Sequence, residues 1–480
     1  MPSRQVHLPV PPARVAQALE RLRTELDIPV EHPPAALAEA ERAAGSQHSP
    51  DVPDARDLPL VTIDPPGARD LDQAVHIEED GDGFVLHYAI ADVAAFVAPG
   101  SALDESVRDR GVTVYGPTGS TPLHPEVLSA GAASLLPGQD RPSYLWRIAL
   151  DSAGAVRDAV VRRALVRSRA QLTYEQVQRV VDGARDPDVP ELLPRLLRRV
   201  GELRLAQEQE RGGVSLEIPE QEVVPLNGGY ALSFRATLPV EEWNAQVSLV
   251  TGISAAAIMR DAGIGILRTL PPADPRDLAR LRRTARALGI DWPAEQSYQE
   301  LVPTLDSAVP GHAAFLANAT TLFRGADYAV LGEAGDGEDS QHSAIAAHYA
   351  HVTAPLRRLV DRYGLEACRA TCAGEPVPQW VQDALPALPR TMARTTQRAG
   401  RYERGAVNAV EALVLEGRVG EEFPAVVVDV DDDAGRGTAV IAEPAVEATV
   451  HAARLPLGEE IRVRLEEVDV AGRSVRFSAV

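Results

Sequence analysis

The chain has 480 residues, with 48 Lys plus Arg against 69 Asp plus Glu for a formal net charge of −21, and is 45 % hydrophobic and 24 % charged. These proportions exclude a disordered or fibrous chain, and at roughly 100 to 200 residues per domain the length predicts two to four domains. No signal-peptide-like run opens the sequence and no stretch of about eighteen residues reads as membrane-spanning, so a cytoplasmic protein without membrane attachment is expected.

Two cysteines, Cys368 and Cys372, stand four apart in a helical-looking stretch and read as buried thiols; a disulfide framework or Cys-rich zinc site cannot be built from them. The sequence contains no lysine, so all 48 cationic side chains are arginine. P-loop ATPases, protein kinases, pyridoxal enzymes and Schiff-base aldolases each need a lysine amine and are excluded. Arginine offers instead a permanent charge on a planar fork suited to phosphate. The acidic total argues against a polyanionic partner, yet residues 355 to 405 hold nine Arg against five acids, which predicts a basic channel in an acidic protein.

In chain order, Pro11-Pro12 opens a helix over 13–26 with Val15, Leu19, Leu22 and Leu26 at helical spacing, and a second helix covers 34–44. The pair reads as a brace or as a helix-turn-helix-like element, although no basic recognition face is visible. A polar, proline-bearing stretch at 45–59 reads as a linker, setting off a small helical N-terminal domain at 1–56. Short apolar runs at 60–63, 84–91, 144–150 and 159–166 predict strands. Helical periodicity follows at 174–182, 191–210, 240–261, 275–288 and 391–415. Strands early and helices later give an α+β domain over 57–410, a mixed β-sheet with surrounding helices. The tail, 417–480, predicts five short strands at 423–430, 438–441, 448–451, 460–465 and 474–477, which suit an OB-fold barrel.

The first strand ends in Asp64, and the turn Pro65-Pro66-Gly67-Ala68-Arg69 brings the chain back to Asp70-Leu71-Asp72, so three carboxylates meet near one strand end. Oxygen-only donors select hard cations, Mg²⁺ or Mn²⁺, and such clusters serve metal-assisted phosphoryl transfer. A polar, solvated loop is the plainer alternative. Asp92 ends the next predicted strand, either as a further ligand or as a hydrogen-bonded brace.

In order along the chain come Thr62-Ile63-Asp64 with Asp70-Leu71-Asp72, Tyr88-Ala89-Ile90-Ala91-Asp92, Pro122-Leu123-His124-Pro125, Val240-Glu241-Glu242, His342, and Tyr349 through Arg358 with Asp361. This series resembles the catalytic RNB domain of the ribonuclease II / ribonuclease R family over about residues 57 to 410, and the tail resembles the S1-type RNA-binding barrel of that family. The resemblance implies a processive hydrolytic exoribonuclease that degrades single-stranded RNA from a free 3′ end to nucleoside 5′-monophosphates, with Mg²⁺, for which Mn²⁺ can substitute, and acting as a monomer. It implies catalytic roles for Asp70, Asp72 and Arg357, metal ligation by Asp64, Asp70, Asp72 and Gln73, and RNA contacts from Tyr115, Leu216, Glu241, Arg357 and Arg358.

Three departures bear on that expectation. Gln73 stands where the family continues with a third consecutive-motif aspartate, and an amide is a weaker Mg²⁺ ligand than a carboxylate. Leu216 replaces a stacking aromatic, which leaves base clamping to Tyr115. The usual pair of N-terminal cold-shock barrels has no room in 56 residues of helical pattern. The tail holds seven Arg against thirteen acids, so it reads either as an RNA-binding barrel with arginines such as Arg462, Arg464 and Arg476 turned to RNA, or as a structural lid. A catalytically weak RNA-binding protein disabled at Gln73 is the second functional reading, and a metal-dependent DNA nuclease the third.

Overall fold

The computed structural model describes residues 10–46, 52–216, 218–226, 228–332, 340–431, 435–452 and 454–480. Positions 47–51 of the expected linker lie outside the described residues. The central element is a four-stranded antiparallel meander of Gln73–Asp80, Gly83–Ala91, Asp140–Leu150 and Val156–Arg167, paired in that order. Strand Gly83–Ala91 is buried along almost its whole length, which explains why its apolar run lacks alternation. The short strand Thr62–Asp64 runs parallel to Gln171–Thr173 and is tied to the meander by paired backbone bonds between Val61 and Val75.

Helices cover the sheet. Pro239–Ala262 buries Trp243, Val247, Val250, Ala255 and Met259 in the same core as Tyr88, Trp146 and Leu197. At Gly252 this helix meets the segment leading to the arginine pair so closely that a Cβ would lie 2.1 Å from the Tyr349 ring. Helix Leu359–Cys372 buries Cys368, and Cys372 is half-buried, in keeping with thiols that serve packing. Helices Pro275–Ala287 and Pro310–Ala319 form a separate cluster around Leu281, Phe315 and Leu322.

The two N-terminal helices occur at Pro12–Glu25 and Pro34–Ala44, and each packs on the body of the molecule. Val15, Leu19 and Leu22 of the first share one core with Tyr402, Ala406 and Val410 of the long helix Leu388–Leu415 and with the barrel residues Phe423, Val450 and Phe477. The tail is a closed five-stranded barrel of Glu422–Asp431, Arg436–Ile441, Val446–His451, Ser474–Ala479 and Glu460–Asp469, in that spatial order. The α+β class with an OB-type barrel is the observed architecture.

Candidate active site

Asp64 closes its short strand, and the turn through Gly67, whose φ of +82° suits glycine, returns the chain to Asp70 and Asp72. Leu71, between them, is buried, and both its backbone groups are fixed, its N–H by Ser134 Oγ at 2.9 Å and its carbonyl by Leu135 N at 3.0 Å. Asp72 is buried; its Oδ1 accepts the Leu356 N–H at 2.7 Å, and its Oδ2 lies 3.8 Å from Arg357 Nε. Burial pushes the Asp72 carboxyl well above the ordinary range, against the opposing pull of Arg357 and the Leu356 N–H. Asp64 is raised to about 6 by burial and by the charge of Asp70. The Arg357 side chain remains 45 % exposed. Tyr115, on the hairpin strand Val114–Gly116, donates its hydroxyl to Asp70 Oδ2 at 3.3 Å and is 41 % exposed. The structure therefore brings Asp64, Asp70, Asp72, Tyr115 and Arg357 together.

The remaining expected residues are engaged elsewhere. Gln73 does not offer its amide as a free ligand: Oε1 accepts the Tyr88 hydroxyl at 2.5 Å, and Nε2 donates to the Thr353 carbonyl at 2.6 Å. Arg358, expected at the RNA, is half of a buried ion pair, with Nε and Nη2 on Asp361 at 2.9 to 3.1 Å. Glu241, expected near ribose hydroxyls, uses Oε1 for the Leu238 N–H at 2.9 Å and for Arg235 at 2.6 Å, because it sits in the first turn of its helix where orphan N–H groups seek an acceptor. Leu216 packs against the separate helical cluster of Leu281 and Phe315. Asp92 is a brace: Oδ1 caps a short helix at Ala95 N and Oδ2 pairs with Arg163 at 2.7 Å.

The chemistry of the donor set fits a hard divalent cation. Asp64 Oδ2 is buried without a hydrogen-bond partner, and burial leaves the carboxylates of Asp64 and Asp72 short of compensating charge. Among the described residues no three His, Cys, Asp or Glu side chains close around one point. That suits Mg²⁺, which takes one or two carboxylates together with water and substrate phosphate rather than a full protein cage.

With this geometry in view, the profile of the RNB domain matches residues 52–365. The chain belongs to the RNB family. A profile described as the RNase II-type exonuclease C-terminal S1 domain matches residues 421–480 of this RNB-family chain. Ribonuclease R of Escherichia coli (strain K12) is 27 % identical over 486 residues, covering 89 % of this chain and 57 % of that protein. Ribonuclease R of Mycoplasma genitalium is 27 % identical over 335 residues, covering 66 % and 44 %. The chain thus spans about half the length of these curated relatives. In fold, the apo form of Mycoplasma genitalium RNase R matches with a TM-score of 0.86 at 20 % identity, over 97 % of this chain and 78 % of that one. Yeast Ssd1, described as a pseudonuclease, matches at 0.72 and 16 % identity, over 94 % and 57 %.

Sequence reasoning gave no role to several groups at this RNB site. Tyr174 opens helix Tyr174–Val181 behind a capping box of Thr173 and Gln176; burial, then the charges of Asp64 and Glu241, raise its phenol to about 12. Tyr88 and Ser248 form a hydroxyl pair 2.8 Å apart beneath Gln73. His124, buried, directs Nε2 at the Pro355 carbonyl, 3.1 Å away. The capping pair Thr173 and Gln176 was the one sequence signal that could have marked Tyr174.

Proposed function

We propose that the chain is a hydrolytic exoribonuclease that shortens single-stranded RNA processively from a free 3′ end and releases nucleoside 5′-monophosphates. The observation that carries this reading is the convergence of Asp64, Asp70 and Asp72 with the exposed fork of Arg357 and the open ring of Tyr115. One or two of Asp64, Asp70 and Asp72, with water and substrate phosphate, would hold a divalent cation, Mg²⁺ or Mn²⁺ in its place, which when bound supplies polarisation of the phosphate and activation of water. Arg357 steadies charge on the scissile phosphate, and Asp72 holds that arginine near the cluster. Tyr115 offers a face for the terminal base, with its hydroxyl anchored at Asp70.

The test uses 5′-labelled single-stranded RNA and its DNA counterpart with Mg²⁺, with EDTA and Asp72→Asn as controls. Shortening of RNA from the 3′ end, release of mononucleotides, sparing of DNA and loss of activity in a folded Asp72→Asn protein are expected. One observation favours a second reading, a catalytically weak RNA-binding protein: the position following Asp72 carries a neutral amide already satisfied by Tyr88 and Thr353. RNA bound but left intact by the wild type supports that reading.

A further inference from the structure

Arg357 lies at the end of a short irregular segment, 353 to 357, whose backbone is fastened from every side. Gln73 Nε2 holds the Thr353 carbonyl at 2.6 Å and Asp361 holds the Ala354 N–H at 2.8 Å. His124 holds the Pro355 carbonyl at 3.1 Å, and Asp72 holds the Leu356 N–H at 2.7 Å. The Thr113 N–H holds the Arg357 carbonyl at 3.0 Å. The Ala354 and Leu356 N–H groups go to carboxylates, the Arg357 N–H goes to the Ala354 carbonyl at 3.2 Å, and the Thr353 and Pro355 carbonyls go to the uncharged donors of Gln73 and His124.

The orientation of the Gln73 amide follows from its partners. A backbone carbonyl only accepts, so nitrogen must face Thr353 and oxygen must face Tyr88. A chain of hydroxyl and amide groups then runs from Ser248, in helix Pro239–Ala262, through Tyr88, in strand Gly83–Ala91, to Gln73 and on to the arginine segment. A carboxylate at position 73 could not complete it, because an ionised carboxylate has no proton to donate.

We infer that Gln73 is a positioning residue that seats Arg357 through the Thr353 carbonyl, and that it is not a metal ligand. This rests on the exoribonuclease reading, since the group it positions is the arginine assigned to the scissile phosphate. The role is the reverse of the one that sequence position suggests: the amide substitutes a donor for an acid, and metal binding is left to one or two carboxylates among Asp64, Asp70 and Asp72.

Two variants separate the roles. Gln73→Met keeps size and neutrality but removes the donor; Gln73→Glu keeps length and adds a carboxylate, which would strengthen a ligand and cannot serve as the donor. Each is measured alone and with Arg357→Ala for kcat and KM on single-stranded RNA, for Mn²⁺ affinity by calorimetry without RNA, and for folding by thermal melting. Expected are a fall in kcat of about five- to tenfold in both variants, the scale of one hydrogen bond. KM and, in Gln73→Met, Mn²⁺ affinity should change less than about twofold, and the kcat effect should vanish when Arg357 is already alanine. Weakened Mn²⁺ binding in Gln73→Met with full activity in Gln73→Glu overturns the inference, as does a kcat loss that persists beside Arg357→Ala. A wild type that binds RNA without cleaving it overturns the exoribonuclease reading and the positioning role with it, an outcome distinct from either of these.

Discussion

Among the described residues Tyr115 is the one exposed Phe, Tyr or Trp, and its hydroxyl reaches Asp70. Stacking on a base contributes about 1 to 3 kcal/mol, so Tyr115→Ala should raise the KM for RNA by roughly five- to a hundredfold, whereas Tyr115→Phe, which keeps the ring, should bind RNA nearly as the wild type does. Steady-state kinetics on one oligonucleotide decides it; equal losses in both variants would assign the effect to the hydroxyl. The carboxylates of the cluster were legible because a turn rich in proline and glycine announces its own geometry. Gln73, Arg358 and Glu241 were not, because their partners, Thr353, Asp361 and Arg235, are chosen by tertiary or local packing that residue type alone does not specify. His124 illustrates the same limit from the other side: its motif was visible, but its carbonyl partner lies 231 positions away.

The elements that read most clearly were long or strongly periodic. All five barrel strands and the long helix Leu388–Leu415 lie where the patterns put them. Strand Gln73–Asp80 and the hairpin Glu220–Leu226 with Gly229–Arg235 escaped, the first because His76 and the three acidic residues Glu78, Glu79 and Asp80 mask its apolar positions, the second because most of its described residues are only partly buried. That hairpin meets the long helix at Glu411, which is 5 % exposed and accepts Gln221 Nε2 at 2.8 Å and the Glu447 N–H at 3.2 Å. Burial raises the Glu411 carboxyl to about 7 from an ordinary 4.5. The folded state therefore holds a proton that the unfolded chain releases near pH 4.5. The associated stability is complete below about 4.5 and is lost as pH rises through 7, up to about 3 kcal/mol. Glu411→Gln can still accept both hydrogen bonds through its amide oxygen. It should flatten the fall in melting temperature between pH 5 and pH 8, and it should be more stable than the wild type at pH 8. Parallel curves for the two proteins would remove Glu411 as the cause.

At the scale of the whole molecule, charge is arranged so that the barrel neutralises much of its own arginine. Arg462 and Arg464 pair with Glu422 at 3.3 and 2.7 Å, and Arg476 pairs with Glu467. Phe423 and Phe477 are buried edge to face, 6.0 Å apart, so they offer no stacking platform. Replacing all three arginines by alanine should weaken RNA binding less than about threefold and leave the salt dependence of the binding constant within one unit of slope. A slope lowered by two or three would show direct phosphate contacts.

The core shared by Leu19, Leu22, Tyr402, Val410 and Phe477 joins segments made early and late in synthesis. At about 5 to 20 residues per second, the ribosome needs on the order of half a minute to reach residue 402 after helix Pro12–Glu25 has emerged. Throughout that interval the apolar stripe of the first helix lacks its partners on the long helix and the barrel, and the nascent chain must keep it from sticking to itself or to its neighbours. Completion of this shared core is therefore gated by translation: helix Pro12–Glu25 finds its full seat only after the long helix and barrel have been made.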